Sequence, residues 1–463
     1  MESSLLEILY VHAFIIIAEI FVLFSLLHML YQRRTPTSMI SWLLLFIVLP
    51  YLSVILYFLI GVRKRPDEKS KSYLQLQSMG KTEHEINPID GILQANGICD
   101  VSHRNDFRLI IHNVEAFHAL MQAIKNAKES ISFSTYVFKS DSATKLILAA
   151  LTQKAKEGVK VRLLIDSLGS YPLYFNRLVL KKLQAAGGEV SFFMPLLRLP
   201  YQNYINLRNH RKIYLFDNTL LYSGGMNLAK EYVAPVATSS QWEDMLFSCQ
   251  GEAVYEYAQI FEADWAYASK QPRITPPPPK LPQVGNVDMQ VVPSGPDIKG
   301  DALLEALLSA IYSAKERIWI VTPYFVPDKS MMQALSIAKH KGVDVRLITP
   351  KNSNHLIADL SRSSYMRELQ ESGIELVLYK GGMLHAKAIL FDDAAAMIGS
   401  VNIDNRSLLL NYEVVSFVYS EETIEAVESW MNGFITNSDA EMPQASRLRR
   451  IVENFMRILA PQL

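Results

Sequence analysis

The chain begins with two long apolar segments separated by a short basic turn. Residues 8–31 are almost wholly apolar and residues 39–62 carry no charged side chain, while Arg33 and Arg34 lie between them. Each segment has about 24 residues, enough to cross about 30 Å of hydrocarbon. The first segment lacks the basic leader and small-residue cleavage site of a signal peptide. The pattern therefore predicts a two-helix transmembrane hairpin within residues 1–65.

The distribution of basic residues predicts an orientation for this hairpin. The second segment is followed by Arg63, Lys64, Arg65, Lys69 and Lys71, against two arginines in the turn. Since cytoplasmic loops carry the excess of Lys and Arg, the N-terminus and everything after residue 62 are predicted to lie in the cytoplasm.

Patterns typical of strands and helices alternate after a polar segment at residues 66–105, which we interpret as a tether. Residues 129–141 are rich in β-formers, residues 142–158 have helical spacing, and residues 159–169 form a short apolar run. The same patterns recur in the same order at residues 315–328, 329–342 and 343–354. A repeat of about 150 to 190 residues is too long for a solenoid and indicates two copies of one α/β domain.

A proline-rich segment separates the two copies. The sequence QPRITPPPPKLPQ contains four consecutive prolines, which favour an extended connector. We therefore predict a first domain at residues 106–275 and a second at residues 276–463. Strands that alternate with helices argue for a mixed sheet flanked by helices. The predicted fold class is α/β, with two such domains in tandem after the transmembrane hairpin.

Each copy contains the same polar residues at the same spacing. The pattern is His-x-Lys, four residues, Asp, six residues, Gly-(Gly/Ser)-x-Asn. A single His-x-Lys would indicate only a core histidine near a lysine, but two matches at identical spacing favour a functional motif. The first copy has His210, Lys212, Asp217, Gly224 and Asn227, and the second has His385, Lys387, Asp392, Gly399 and Asn402.

The residues around each histidine predict a phosphate site. The segments HRKIYLFD and HAKAILFD alternate as strands do, which would place His and Lys on one face of the sheet. A lysine binds a phosphate oxygen as a point charge, whereas a histidine attacks phosphorus or transfers a proton. The Gly-rich turn would let backbone N–H groups and the Asn amide approach an anion. Since one histidine cannot readily do both jobs, we expect the two motifs to face each other.

Composition limits the partners that such a site can have. Forty-six basic and forty-six acidic residues leave no net charge to attract nucleic acid, so no nucleic acid is expected to bind. Cys99 and Cys249 have neither the number nor the spacing for a disulfide framework or a zinc site. Since the sequence has no clustered Cys and His residues, neither a metal nor a cofactor is expected.

The paired His-x-Lys-x₄-Asp motif is similar to the signature of the phospholipase D superfamily. Within it, the apolar hairpin and the segments VRLLIDSLGS, TPYFVPD and GSVNIDNRSLLLNYE resemble the bacterial cardiolipin synthases. The resemblance covers nearly the whole chain. It implies a multi-pass protein of the bacterial inner membrane, with a cytoplasmic catalytic part, whose partners are phosphatidylglycerol and other anionic lipids.

The resemblance also implies a reaction. One histidine attacks the phosphodiester of phosphatidylglycerol and the other protonates the departing glycerol, after which a second phosphatidylglycerol converts the phosphatidyl-histidine to cardiolipin. We expect His210 to be the nucleophile and His385 the general acid and base, while the two motif lysines neutralise the phosphate. Asp217 and Asp392 belong to the catalytic motifs, but we expect them to hold the end of the strand and its loop.

Acidic residues further along each copy could orient the imidazoles. Glu413 lies 28 residues after His385, and the resemblance suggests that it accepts the second N–H of that ring. In the first copy Thr238 occupies the same offset, so Asp244 is the best candidate to orient the first histidine and Glu243 the next. An ordinary charge at a strand edge is the alternative for each carboxylate.

Two further features have two interpretations each. Arg406 and Asn411 could contact a lipid phosphate or cap a loop. Residues 446–463 place an apolar stripe opposite arginines on one helix. Most such stripes pack on a core, and the alternative is a helix in the membrane interface that binds anionic lipid. The stripe comprises Leu448, Ile451, Val452, Phe455, Ile458 and Leu459, and the arginines are Arg449, Arg450 and Arg457.

Other functions are compatible with the same motifs. If water intercepted the intermediate, the protein would be a phospholipase D-type hydrolase that releases phosphatidic acid, and a membrane-bound nuclease is a third hypothesis. An inactive scaffold is disfavoured because both motifs retain His and Lys. Asn227 and Asn402, together with Asp244 and Glu413, are the candidates for orienting the imidazoles or binding substrate.

Overall fold

A computed structural model of the chain describes residues 2–31, 36–61, 71–79, 87–196, 206–278 and 285–459. It begins with three apolar helices, which are α1 Glu2–Tyr31, α2 Pro36–Val48 and α3 Pro50–Ile60. Among the described residues, one stretch, Tyr10–Tyr31 of α1, is long and apolar enough to cross a membrane.

The second apolar segment forms two helices instead of the single span that its length predicts. A proline cannot donate the N–H that a continuous helix would need, and α3 begins at Pro50 directly after the non-helical Leu49 (φ −136°, ψ 63°). The two pieces have 13 and 11 residues, each shorter than the roughly 20 residues of a transmembrane helix. Most of the basic residues that predict the orientation lie outside the described residues.

Aromatic side chains join the three helices. His28 Nδ1 of α1 lies 2.8 Å from the Tyr57 hydroxyl of α3. The Tyr57 ring meets Trp42 of α2 edge-on, with 5.2 Å between ring centroids. These contacts, with Met29 and Phe46, form a small core of their own. The helices are therefore held together as one unit.

The rest of the described chain is built around one fifteen-stranded sheet and a separate pair of short strands. The first half contributes β1 Ser102–Ile110, β2 Ser130–Thr135, β3 Lys160–Asp166, β4 Glu189–Phe193, β5 Ile213–Phe216, β6 Leu220–Gly224 and β7 Leu246–Gln250. The second half contributes β8 Val287–Ser294, β9 Arg317–Val321, β10 Phe325–Val326, β11 Asp344–Pro350, β12 Glu375–Tyr379, β13 Ala388–Phe391, β14 Ala395–Gly399, β15 Ile403–Asp404, β16 Glu413–Val418 and β17 Ser438–Asp439.

When followed outward from the middle of the sheet, the strands of the two halves come in corresponding order. It is β17-β12-β11-β9-β13-β14-β16-β8 in the second half and β1-β7-β6-β5-β2-β3-β4 in the first. β3 pairs in parallel with β2 and β4, and β11 pairs in parallel with β9 and β12. The halves join where β1 runs antiparallel to β8. The predicted mixed sheet and duplicated α/β fold are confirmed, and the two copies share one continuous sheet.

Helices pack on this sheet much as the periodicity predicts. Asp141 starts the predicted helix with a capping box, and Gly158 (φ +89°) follows its end. The corresponding second-half helix begins at Asp328, which caps Met331. The helices are α4 Pro88–Ala95, α5 Asn113–Asn126, α6 Ser142–Lys156, α7 Tyr171–Phe175, α8 Lys181–Ala185, α9 Ala253–Ser269, α10 Ala302–Ser313, α11 Lys329–His340, α12 Leu356–Glu371, α13 Asn405–Leu409, α14 Glu421–Asn432 and α15 Arg447–Leu459.

Part of the predicted tether packs on the folded body. The Lys71 side chain is buried and forms ion pairs with Asp264 of α9 and Asp297, which follows β8. α4 lies against α10, and β1 begins at Ser102. The described parts of residues 66–105 therefore belong to the body, because their polar groups find partners there. The domain boundaries stay a prediction.

The C-terminal helix α15 contradicts the expectation that its apolar stripe packs on a core. Leu448, Ile451, Val452 and Phe455 are all exposed. The opposite, polar face contacts α12, where Glu453 bonds Arg367. The side chains of the last two members of the stripe lie outside the described residues.

Candidate active site

The two histidine motifs lie in corresponding places in the two halves. His210 and Lys212 directly precede β5, and His385 and Lys387 directly precede β13. The prediction placed these residues inside the strands. The strands begin after them, and isolated bridges join the residue just before each histidine to the opposite half.

Backbone hydrogen bonds cross between the halves at both histidines. The N–H of His210 donates to the carbonyl of Tyr412 at 2.8 Å, and the N–H of His385 donates to the carbonyl of Glu243 at 2.6 Å. Tyr412 and Glu243 directly precede the two candidate carboxylates in the sequence. Each histidine is therefore fastened to the segment that carries the carboxylate of the other copy.

The side chains cross in the same way. His210 Nδ1 lies 3.0 Å from Glu413 Oε2, and His385 Nδ1 lies 2.7 Å from Asp244 Oδ2. Both carboxylates are fully buried. Asp244 is the first-half counterpart of Glu413, but the predicted pairing of each carboxylate with the histidine of its own copy is wrong. The backbone bridges bring each carboxylate to the histidine of the opposite copy.

Both imidazoles are buried among aromatic rings, and this burial disfavours their charged forms. The His210 ring meets Tyr136 edge-on at 5.0 Å, and the His385 ring packs between Tyr232 at 5.1 Å and Trp242 at 5.4 Å. Burial lowers the pKa of His210, although Glu413 opposes the shift. Burial, with the charge of Lys387, lowers the pKa of His385 to about 3. With Nδ1–H directed at a carboxylate, Nε2 of each ring keeps its lone pair. In His385, Lys387 Nζ lies 2.8 Å from Nδ1 and 3.2 Å from Nε2.

The pKa values of the two motif lysines are lowered, and charged groups of both halves contribute to them. Burial lowers the pKa of Lys212 to about 7 and that of Lys387 to about 8. The charge of Lys387 lowers the pKa of both Lys212 and His210, and Glu413 raises that of Lys387. An anion bound beside these groups would favour their protonated forms. The site is therefore prepared for a negatively charged ligand.

The buried carboxylates stay ionised beside these bases. Burial acts to raise the pKa of Glu413, but His210 and then Lys212 hold it below its ordinary value. Burial likewise acts to raise the pKa of Asp244, which His385 and Lys387 hold down. An ionised carboxylate stabilises the positive charge that forms when its imidazole is protonated or forms a bond to phosphorus.

The Gly-rich turn of the first motif makes room for Asp244. A Cβ atom on Gly225 would lie 2.1 Å from Asp244 Oδ1, and one on Gly224 would lie 2.5 Å from the Met245 carbonyl. In the second motif Ser400 takes the place of Gly225, and its hydroxyl donates to Glu413. The carboxylates of Asp244 and Glu413 therefore lie against the two turns. The sequence predicted instead that the turn backbone would approach a bound anion.

The motif asparagines contact neighbouring loops. Asn227 Oδ1 accepts from the N–H of Val137 at 3.1 Å. Asn402 Nδ2 donates to Ser407 Oγ at 3.4 Å, while Asn402 Oδ1 is buried without a hydrogen-bond partner in the described part of the chain. These bonds hold the loops around the site, and a role of either residue in substrate binding stays a prediction.

The motif aspartates lie at the ends of β5 and β13 that are remote from the histidines. Asp217 accepts hydrogen bonds of 2.7–2.9 Å from the backbone N–H groups of residues 128–130. Asp392 accepts bonds of 2.9–3.0 Å from residues 315–317. Both carboxylates therefore hold the turns that lead into β2 and β9. These bonds agree with the structural role that we expected, and they place the aspartates away from the reacting groups.

Arg406 and Asn411 support the loops of the site. Arg406 donates to the side-chain oxygen of Asn206 at 3.0 Å and to its carbonyl at 3.2 Å. Asn411 Nδ2 lies 3.5 Å from Glu413 Oε1. These contacts favour the loop-capping interpretation over direct contact with a lipid phosphate.

Sequence reasoning missed the support of the residues before His210. Asp166, at the carboxyl end of β3, accepts from the N–H of Asn209 at 3.0 Å and from Arg208 at 3.3 Å. An acidic residue at the carboxyl end of an apolar parallel strand was the available signal, since functional side chains gather at that edge of such a sheet.

A second missed support is a buried ionic cluster beneath the first motif. Arg211 is fully buried and bonds Asp264 at 2.8 Å and Asp297 at 3.0 Å. Lys71 binds the same two carboxylates. Two cations therefore balance two anions, as buried charges require. No local pattern indicates the burial of Lys71, because its partners lie 193 and 226 residues away.

The arrangement supplies two imidazoles that are each bonded to a carboxylate through Nδ1, and two buried ammonium groups, of which that of Lys387 lies 3.2 Å from His385 Nε2. These are the groups needed for nucleophilic attack on a phosphodiester with proton transfer to the leaving oxygen. Among the described residues, no group of three or more His, Cys, Asp or Glu side chains is placed to hold a metal ion.

Comparison with known proteins agrees with this chemistry. The family described as "Cardiolipin synthase, PLD-like domain" matches residues 120–265 and 307–435, and "Phospholipase_D-nuclease N-terminal" matches residues 20–61. Cardiolipin synthase 1 of Bacillus anthracis is 32% identical, over 93% of this chain and 90% of its own. The major cardiolipin synthase of Bacillus subtilis strain 168 is 33% identical, over 96% of this chain and 97% of its own.

A solved structure shares the fold. Phosphatidylserine synthase of Haemophilus influenzae superposes with a TM-score of 0.60 at 14% identity and covers 81% of this chain and 97% of that one. Its likeness concerns the fold alone. Family membership and the apolar helix α1 together make the chain a membrane protein. The chain belongs to the PLD-like cardiolipin synthase family of the phospholipase D superfamily.

Proposed function

We propose that this protein is a phosphatidyltransferase that converts two molecules of phosphatidylglycerol into cardiolipin and glycerol. Relatives that match over more than nine-tenths of the chain are named for cardiolipin synthesis. The observation that carries the proposal is the pair of buried imidazoles, each bonded through Nδ1 to a carboxylate of the other half. They provide a nucleophile and a separate proton carrier at one site.

In the first half-reaction His210 is the nucleophile. Its Nε2 attacks the phosphorus of phosphatidylglycerol, so that a phosphorus–nitrogen bond forms while the bond from phosphorus to the headgroup oxygen breaks. Protonated His385 transfers its proton to that oxygen, and glycerol leaves. Glu413 stabilises the positive charge on the His210 ring, 3.0 Å away. Because the phosphodiester anion raises the pKa of His385, the proton is available when substrate is bound.

In the second half-reaction another phosphatidylglycerol is the acceptor. Its terminal hydroxyl gives its proton to His385, and the oxygen attacks phosphorus. The phosphorus–nitrogen bond breaks, which returns the electron pair to His210 and releases cardiolipin. Asp244 stabilises the imidazolium form of His385 in both half-reactions, since it bonds Nδ1 at 2.7 Å.

The lysines hold the phosphate through both steps. Lys212 and Lys387 are buried beside the histidines, and their ammonium groups neutralise the non-bridging oxygens as charge develops on them. Replacing either lysine should therefore destabilise the transition state more than it weakens the binding of the lipid substrate.

The product distribution tests this proposal. Purified enzyme is given phosphatidylglycerol with a labelled headgroup as its single lipid substrate, and we expect one glycerol released for each cardiolipin formed. Phosphatidic acid as the sole product would overturn the proposal in favour of the hydrolase. His210→Ala and His385→Ala should each abolish turnover, whereas His118→Ala, at an exposed position on α5, should not. Appreciable turnover by both active-site variants would contradict a shared site.

We also propose a multi-pass topology in the bacterial cell membrane, with the catalytic body in the cytoplasm. α2 and α3 pack against α1 and together supply the apolar length for a return crossing. On intact cells, an impermeant thiol reagent should label a cysteine placed at Arg33 and spare one at Ser446. Equal labelling of both positions would contradict the orientation.

A further inference from the structure

The helix α15 is attached to the protein through its polar face. Glu453, whose side chain is 1% exposed, bonds Arg367 of α12 at 2.9 Å, and Asn454 accepts from Ser364 at 2.9 Å. Arg457 pairs with an acidic residue of α12 at 2.6 Å and stacks on the Tyr365 ring at 4.4 Å. A helix on the surface of a water-soluble protein turns its apolar face inward, so α15 is oriented the other way round.

The apolar face of α15 consequently points away from the protein. Leu448 is 72% exposed, Ile451 64%, Phe455 57% and Val452 40%. These four residues recur at helical spacing and form one continuous stripe. A stripe of this kind in water is unfavourable, because large apolar patches on soluble proteins are rare and mark interaction sites.

The position of α15 identifies what covers the stripe. α15 packs against α2, the apolar helix that follows α1. α2 itself exposes Ile40, Leu44 and Ile47 to its surroundings. The helix α15 therefore lies beside the apolar helices at the start of the chain.

A second element also carries exposed apolar side chains. α12, on which α15 rests, begins with Leu356 at 74% and Ile357 at 54% exposure. This start lies beyond the carboxyl end of β11. The carboxyl end of β3, the corresponding strand of the first half, carries Asp166 of the active site. Exposed apolar side chains are thus present on the active-site side of the sheet.

We propose that α15 is an interfacial membrane helix: its apolar face enters the acyl region of the bilayer, and its polar face seats the catalytic body on the lipid surface. Arg447 and Arg450 are exposed at its start and meet the phosphates of anionic lipids, which favour basic amphipathic helices. The body is then held to the membrane at two places, the α1–α3 unit and α15. The site can therefore receive both lipid substrates from the bilayer surface.

The depth of α15 in the bilayer tests this proposal in the full-length protein. Cys99 and Cys249 are replaced by serine and alanine, and single spin labels are placed at Ile451→Cys, Phe455→Cys and Arg450→Cys in vesicles that contain phosphatidylglycerol. We expect the first two labels to collide with oxygen and to be shielded from a water-soluble nickel chelate, while the label at position 450 remains accessible to the chelate. A label at Leu44→Cys in α2 gives the reference accessibility to oxygen and to the chelate for a position in the hydrocarbon.

Two outcomes would overturn the proposal. Labels at positions 451 and 455 that are as accessible to the chelate as position 450 would place α15 in water. Labels shielded from both reagents would mean that protein, such as a second copy of the chain, covers the stripe. Since these readouts do not depend on turnover, they remain informative whatever reaction the enzyme catalyses.

Activity provides a second arm. Ile451→Glu with Phe455→Glu should lower the rate in vesicles by about tenfold or more, because two of four apolar anchors are lost. The rate on short-chain phosphatidylglycerol in detergent micelles should be unchanged. Leu146→Glu with Tyr312→Glu adds the same charge at exposed apolar positions elsewhere and is the matched control. Equal losses for both double variants in vesicles would contradict a specific role of α15.

Discussion

A methyl group added at Gly225 tests whether Asp244 positions His385. The new Cβ would lie 2.1 Å from Asp244 Oδ1, where real Cβ contacts are not found below 3.0 Å. The backbone of Gly225 does not have a positive φ, so the substitution Gly225→Ala introduces a steric conflict without backbone strain. The carboxylate must therefore shift by about 1 Å, since buried side chains are closely packed.

The shift removes the hydrogen bond between Asp244 Oδ2 and His385 Nδ1, now 2.7 Å long. Hydrogen bonds to charged groups contribute about 1.5–3 kcal/mol. At about 1.4 kcal/mol per factor of ten, kcat for cardiolipin formation should fall about tenfold to a hundredfold. The fall should appear in kcat, because Asp244 stabilises the positive charge that His385 gains when it takes the proton of the acceptor hydroxyl.

The assay is the initial rate of cardiolipin formation in mixed micelles, with thermal unfolding measured in parallel. Ser400→Ala, the corresponding position of the second motif, removes one bond to Glu413 without a clash and should lower kcat less. In an Asp244→Ala background, Gly225→Ala should have no further effect on kcat, since its target is gone. An equal fall in both backgrounds, or an unchanged kcat in Gly225→Ala itself, would refute the reasoning.

Three further predictions concern charged residues in or near the site. Since burial lowers the pKa of Lys212 to about 7 and of Lys387 to about 8, kcat/KM should fall as pH rises through these values; an alkaline limb near the ordinary lysine pKa of about 10 would contradict this. Asp217→Ala should lower stability by about 1–2 kcal/mol in unfolding measurements yet retain most of kcat; a loss of activity as complete as in His210→Ala, without lost stability, would contradict the structural role. Lys71→Met should destabilise the protein by about 3–5 kcal/mol, because buried carboxylates lose a partner; an unchanged melting temperature would contradict it.

Much of the fold follows from local sequence patterns. Helix α6 could be predicted because its cap at Asp141, its apolar spacing and Gly158 all indicate the same boundaries. The strands on either side have apolar runs bounded by polar residues. The break between α2 and α3 also has a local signal in Pro50, which the uniform hydropathy of the segment concealed.

The crossed geometry of the site could not be predicted in the same way. Glu413 follows His385 by 28 residues and Asp244 follows His210 by 34, so sequence distance favours pairing within each copy. The partner is decided by backbone bridges between the halves, which join residues about 140 to 200 positions apart. Such contacts depend on the arrangement of two whole domains, and no local pattern encodes them.

The outward face of α15 and the burial of Lys71 have a related cause. An amphipathic stripe specifies that two faces differ, but whether the apolar face meets protein or lipid depends on what lies nearby. Lys71 occurs in a polar segment without periodicity, and its burial depends on Asp264 and Asp297 from two distant elements. In both cases the sequence specifies the chemistry of the residue and the tertiary structure specifies its partner.

The site of the covalent intermediate tests the central claim most directly. Wild-type enzyme is quenched during turnover of phosphatidylglycerol, digested under alkaline conditions that preserve phosphorus–nitrogen bonds, and mapped by mass spectrometry. The account predicts a phosphatidyl adduct on His210, the imidazole whose Nδ1 is held by Glu413. An adduct on His385 would contradict it.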